Sequence, residues 1–170
     1  MSEIKKHVIA IIVDNEFGAL ARIVELFSAR GYNIETLTVA PITHDKKKSR
    51  ITITTYGSDK TIELICKLLR RIVPVHHAAE LTASEGYIER ELALAQIIAD
   101  EETREKAIAM MEKYRSYVID IEGDSLVFEI IGDSKTIEEA LENLTDYGLA
   151  TISRTGIAAG FKGKKRLDEV

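Results

Sequence analysis

The chain has 170 residues, 45% of them hydrophobic and 30% charged, and 23 basic against 28 acidic residues leave a net charge of −5. This composition suits one ordinary folded domain or two small ones, and it excludes a disordered chain. A mildly acidic chain also lacks the concentrated basic surface that nucleic acid requires, so no nucleic-acid partner is expected.

No apolar run nears the roughly 20 residues that span a bilayer, so no membrane role is expected. Met1 to His7 is polar and leads directly into a strand-like run, which does not read as a signal peptide. Cys66 is the single cysteine and cannot form an internal disulfide, which makes the cytoplasm the expected location.

Val8 to Val13 is a continuous, β-branched apolar run and reads as a buried strand. After the turn at Asn15-Glu16-Phe17-Gly18, residues Leu20, Ile23, Val24 and Phe27 repeat at helical spacing, and Gly31 stops that helix. Ile34 to Pro41 reads as a second strand. A polar hairpin loop at His44 to Ser49 leads into a third, in which Ile51 and Ile53 alternate with Thr52 and Thr54. Asp59 is placed to cap a second helix with Ile62, Ile65, Leu69 and Ile72 inward. Val73 to Leu81 is a fourth strand, with Pro74 marking its start or an edge.

The same order then recurs. Glu91 to Ala99 is a strand, and Ala107, Met110, Met111 and Tyr114 lie on a helix. Val118 to Ile121 and Leu126 to Ile131 are strands joined at Gly123-Asp124. Ser134 is placed to cap a helix with Ile137, Leu141 and Leu144 inward, ended by Gly148. Leu149 to Ile157 closes the second set, and Lys162 to Val170 reads as a frayed charged tail.

Two tandem ferredoxin-like βαββαβ units of the α+β class follow, 1–82 and 83–170, joined near Thr82 to Gly86. Right-handed crossovers place both helices of each unit on one face of an antiparallel sheet, leaving the other face to meet another surface. Units of roughly 75 to 80 residues are small for self-sufficient cores, so at least a dimer is expected.

The chain shows no catalytic constellation. His76 and His77 are adjacent on a strand and point to opposite faces. Cys66 sits in the apolar part of a helix, Glu101 and Glu102 suit a helix start, and Lys46-Lys47-Lys48 read as a solvated loop tip. Catalytic and metal-ligating residues are therefore expected to be absent.

The stretch with a mechanism is Asp14 to Ala21. Amides at a helix N-terminus attract a carboxylate, Gly18 lets a ligand approach the backbone, and Asn15 can accept from an ammonium. This turn suits a zwitterionic amino acid. The spacing also fits a plainer role, in which Asn15 caps the helix and Gly18 shapes the turn.

The segments Asn15-Glu16-Phe17-Gly18-Ala19-Leu20 and Leu26 to Pro41 (LFSARGYNIETLTVAP) resemble the ACT domain of the small subunits of acetohydroxyacid (acetolactate) synthase. Further along, Ser49 to Ile53, Ile88 to Leu94, Tyr114 to Asp120 and Ser153 to Ile157 resemble that family's third strand and its VEREMAL, FRGxIID and ARTGI strings. The resemblance spans nearly the whole chain. It departs at Phe17, where many relatives have a small residue or proline, and at Ser116, where they have glycine.

The resemblance implies a regulatory subunit in branched-chain amino acid synthesis that binds valine between two paired ACT domains. Asn15, Gly18, Ala19 and Leu20 match the loop holding the amino acid in one protomer, and Asn33 and Ile34 match the residues closing the pocket from its partner. It implies a homodimer through the ACT domains and a catalytic large subunit as partner. No cofactor is implied in this chain; thiamine diphosphate, magnesium and FAD are implied in the catalytic partner. A free-standing ACT-type sensor acting on another enzyme or regulator is the alternative.

Overall fold

The structure, a computed structural model, describes residues 3–82 and 86–169. The expected junction at Thr82 to Gly86 includes 83–85, which lie outside the described residues. The chain divides into two compact units, Met1–Ile88 with Ala158–Val170, and Glu89–Ile157. The last residues thus group with the first unit, whereas the sequence placed them with the second.

In the first unit, β1 (Lys5–Asp14), α1 (Ala19–Ser28), β2 (Thr36–Pro41), β3 (Lys48–Gly57), α2 (Asp59–Leu69) and β4 (Val75–Glu80) form the expected βαββαβ order. The antiparallel sheet runs β2-β3-β1-β4. Ile9, Ile11 and Val13 on β1 lie in register with Ile53, Ile51 and Ser49 on β3. These isoleucines and Val13 face Ile23 and Phe27 of α1 and Ile62, Ile65 and Leu69 of α2, all buried. Burying each such side chain is worth about 1.5–3 kcal/mol, which fixes the register. Helix α2 is capped by Ser58, which accepts from the Thr61 amide, while the expected cap Asp59 is its first helical residue.

The opposite face of this sheet carries Val8, Ala10 and Ile12, in register with Thr54, Thr52 and Arg50. Val8, Ala10, Ala79 and Leu81 are nonetheless buried. The C-terminal segment accounts for this. Residues Ala158–Phe161 (β9) and a 3-10 turn at Leu167–Glu169 pack on β1, and the turn also packs on β4. Leu167 is buried, and the Arg50 guanidinium donates to the Ala159 carbonyl oxygen. The expectation of a frayed tail and an uncovered face is corrected here: β9, the Arg50 bond and the buried Leu167 hold the segment on the sheet of the first unit.

The second unit holds β5 (Tyr87–Ile98), α3 (Glu101–Met111), β6 (Ser116–Glu122), β7 (Ser125–Gly132), α4 (Ser134–Leu144) and β8 (Leu149–Arg154). Its strands run β6-β7-β5-β8. The small side chains of Ala93 and Ala95 on β5 let the helices approach closely, and Phe128 and Ile130 of β7 fill the space beside them. Helices α3 and α4 start at Asp100 and Asp133, whose carboxylates accept from the Thr103 and Thr136 amides. The expected cap Ser134 therefore lies one residue late. Gly148 turns the chain into β8 at φ 84°, and a Cβ there would lie 2.5 Å from the Ile98 carbonyl oxygen. At the opposite end of β5 Glu91 is buried, and Arg154 donates to its two oxygens at 2.7 Å each.

Candidate functional site

The turn from β1 to α1 is held by the β2–β3 hairpin. The Asn15 amide donates to the Lys47 carbonyl and its Nδ2 donates to the Lys46 carbonyl, both at 2.8 Å. This leaves Oδ1 as the Asn15 atom able to accept from an ammonium. The hairpin is itself ordered: Asp45 accepts from the Thr43 hydroxyl and the Lys47 amide. Those two bonds hold the Asp45 carboxyl below its usual range. The lysine loop, read from sequence as a solvated tip, thus positions Asn15 through its carbonyl oxygens. Carbonyl roles of this kind leave no residue-type signal.

Asn15 does not cap α1, which removes the plainer reading of that residue. The N-cap position is Gly18 in a left-handed conformation, φ 81°, with no side-chain cap and no acid in the first turn. The other α-helices among the described residues all start from a capping Ser or Asp side chain. The Leu20 and Ala21 amides in the first turn of α1 have no acceptor among the described residues and keep their partial positive charge for an anion. Phe17 is fully exposed and Leu20 half exposed beside this turn. Ala19 points inward; its methyl is core and its amide donates to the Glu16 carbonyl. Glu16 is drawn toward Arg22, 3.4 Å away, and Asp14 contacts His76 at 2.6 Å.

Asn33 and Ile34 are elsewhere. Asn33 donates to Glu35 at 2.5 Å, and its carbonyl accepts from the Thr55 hydroxyl. Ile34 packs on the core. Thr55 is in register with His7, near the start of β1, whereas Asn15 follows its last residue. About eight residues of strand, roughly 25 Å, separate the two groups within one chain. The structure brings Asn15, Gly18, Ala19 and Leu20 together and places Asn33 and Ile34 at the other end of the sheet.

Elsewhere the titratable groups are structural. Buried His7 contacts Glu80 at 2.5 Å through Nδ1 and the Gly57 carbonyl at 3.1 Å through Nε2. Burial, with the nearby Glu80 charge, pushes the Cys66 thiol up to about 11. Among the described residues no three of His, Cys, Asp and Glu converge as a metal site, and no helix is long and apolar enough to cross a membrane.

Comparison with known proteins matches both units. Residues 9–77 match the family model of the AHAS small subunit-like ACT domain, and residues 90–160 match that of the small subunit of acetolactate synthase. A probable acetolactate synthase small subunit of Archaeoglobus fulgidus is 35% identical over 161 residues, covering 95% of this chain and 99% of the relative. The acetolactate synthase isozyme 3 small subunit of Escherichia coli is likewise 35% identical, covering 94% and 98%. The crystal structure of the acetolactate synthase small subunit from Thermotoga maritima superposes with a TM-score of 0.84 at 30% identity, covering 95% and 99%.

Proposed function

The chain belongs to the small-subunit family of acetolactate synthase, the non-catalytic regulatory partner of a catalytic large subunit in branched-chain amino acid synthesis, and on that premise we propose that it senses valine at the start of α1. The observation that carries this reading is the uncapped first turn at Gly18 beside an Asn15 held by the hairpin. A carboxylate meets the free amides there, and the ammonium meets Asn15 Oδ1.

The pocket is completed by a second copy. β2 lies at the sheet edge and offers unpaired backbone groups. Two such strands paired antiparallel about a two-fold axis bring the start of the partner's β2 beside the end of this one. That end lies level with Asn15, since Pro41 and Asp14 flank the Ser49–Lys48 end of β3. The partner copy of Asn33 and Ile34 is then the pair that closes the site.

The regulatory mechanism is a population shift. Valine at the dimer interface favours one arrangement of the complex over another, with a coupling of about 1–3 kcal/mol. The small subunit raises the large subunit's activity, and occupancy by valine withdraws that effect. Thiamine diphosphate, magnesium and FAD belong to the catalytic partner, and a cytoplasmic location belongs to the same proposal.

Calorimetric titration with valine tests the composite site. Asn15→Ala and Asn33→Ala each abolish binding in the homodimer. Mixed and re-equilibrated, the two variants recover about a quarter of the sites, because half the dimers are mixed and each holds one intact pocket. No recovery on mixing, or full binding by either variant, overturns the composite site.

A further inference from the structure

We propose that the Phe17 ring is the apolar wall of the amino-acid site, closing over the aliphatic side chain of the bound ligand and setting its preference for valine over smaller amino acids. The proposal rests on the valine-site reading and deepens it by naming the residue that reads the ligand's side chain.

The turn itself puts Phe17 forward. The Ala19 amide donates to the Glu16 carbonyl, and Gly18, at φ 81° and ψ −6°, has the conformation of the third residue of a type II turn. Phe17 is therefore the second residue, at the apex. Its ring is fully exposed.

The other side chains of the turn are engaged within the chain. Asp14 contacts His76, the Asn15 Nδ2 donates to the Lys46 carbonyl, Glu16 is drawn to Arg22, and Ala19 is core. Phe17 has no such role. It precedes the helix cap Gly18, a position from which an apolar side chain ordinarily packs on the fourth residue of the helix. That residue is Arg22, exposed and turned to Glu16. The staple is thus absent, and the ring serves nothing in the first unit's own packing.

Phe17 lies between the two polar anchors of the site. Its Cα is at most about 8 Å from that of Asn15, two peptide units away. On its other side come the free Leu20 and Ala21 amides. An amino acid that bridges Asn15 Oδ1 and those amides has its polar ends fixed, and its side chain is left to meet the ring between them. Leu20, 39% exposed, widens this apolar surface.

The size of the surface favours a small ligand over a protein. The ring stands among Asp14, Asn15, Glu16 and Arg22, so the apolar area is that of one ring and part of a leucine. A stable protein interface needs about 800 Å² from each partner, whereas an isopropyl group is covered by a single ring.

The test compares L-valine with L-alanine, which keeps the carboxylate and ammonium and lacks both methyl groups. Valine is titrated calorimetrically, and alanine is measured by displacement of bound valine. At roughly fourfold per methyl, the unsubstituted chain is expected to prefer valine by about 15-fold or more. Phe17→Ala is expected to weaken valine binding about tenfold and alanine binding less than about twofold, so that the preference falls to a few-fold. Phe17→Leu, which keeps an aliphatic group in place, holds valine affinity within about threefold. Sedimentation without ligand shows the same self-association for all three chains.

Unchanged valine affinity in Phe17→Ala overturns the proposal. So does an equal loss for valine and alanine, since the residue then acts by shaping the turn. Weaker self-association without ligand, with the valine-to-alanine ratio kept, overturns it in favour of a contact between copies. An unsubstituted chain that does not bind valine overturns the valine-site reading as well, and is distinguished from the other outcomes by that result.

Discussion

Leu167→Ala tests how the C-terminal segment is held. Leu167 is 5% exposed in a turn packed on β1 and β4. Truncation to alanine removes three carbons' worth of burial, about 2 kcal/mol at roughly 0.8 kcal/mol each. The segment can lift away without unfolding the rest of the unit, so the loss falls on local opening and leaves the global unfolding midpoint nearly unchanged. Trypsin reads the open population, because Lys164, Lys165 and Arg166 lie immediately before the anchor. When opening and closing outpace cleavage, 2 kcal/mol corresponds to about 30-fold faster cutting at these bonds. Arg50→Ala, which removes the bond to the Ala159 carbonyl, is worth about 1 kcal/mol, or roughly fivefold. A change below about threefold for Leu167→Ala would show that the leucine does not anchor the segment.

Three further outcomes follow from the buried and capping groups. Arg154→Met leaves the buried Glu91 carboxylate without its paired donor and is expected to cost about 3–5 kcal/mol in urea unfolding, whereas a double change of Glu91 and Arg154 to leucine recovers most of that loss. The Asp133 carboxyl is held below its usual value of 3.8 by the Thr136 hydroxyl and amide. A carboxyl depressed in the folded state contributes stability above its unfolded pKa and loses it as pH falls through the folded one, so the difference in Tm between wild type and Asp133→Asn is largest near neutrality and closes below pH 3.8; a difference independent of pH would refute the assignment. Cys66, buried and with its thiol pushed up to about 11, is expected to react with an aromatic disulfide at pH 8 roughly 100-fold more slowly in the native chain than in urea.

The fold was legible wherever apolar periodicity was strong. Ile23 and Phe27 on α1, Ile9, Ile11 and Val13 of the apolar run on β1, and Ile137, Leu141 and Leu144 on α4 all face the cores the pattern implied. Helix starts slipped by one residue at Ser58-Asp59 and Asp133-Ser134 because each pair holds two cap formers. The extended backbone of Ser58 and Asp133, ψ 155° and 168°, decides which one serves.

The chemistry of the Gly18 turn was legible, since Gly and Asn carry side-chain signals. Its support was not, because Lys46 and Lys47 act through backbone carbonyls that every residue has. The buried Leu167 was invisible for another reason. A lone leucine among charges has no period, and its partners on β1 and β4 lie far away in sequence.

Because Ala158–Val170 groups with the first unit, the second unit is in effect an insertion within the first. On the ribosome, β1 through β4 emerge early, but the covering segment emerges only after all of Glu89–Ile157 has been made. At about 5–20 residues per second, the first unit waits several seconds with the Val8, Ala10 and Ala79 face of its sheet uncovered. That interval is when the nascent chain is open to premature pairing with a neighbour or to capture by a chaperone, and it closes once the covering segment has emerged.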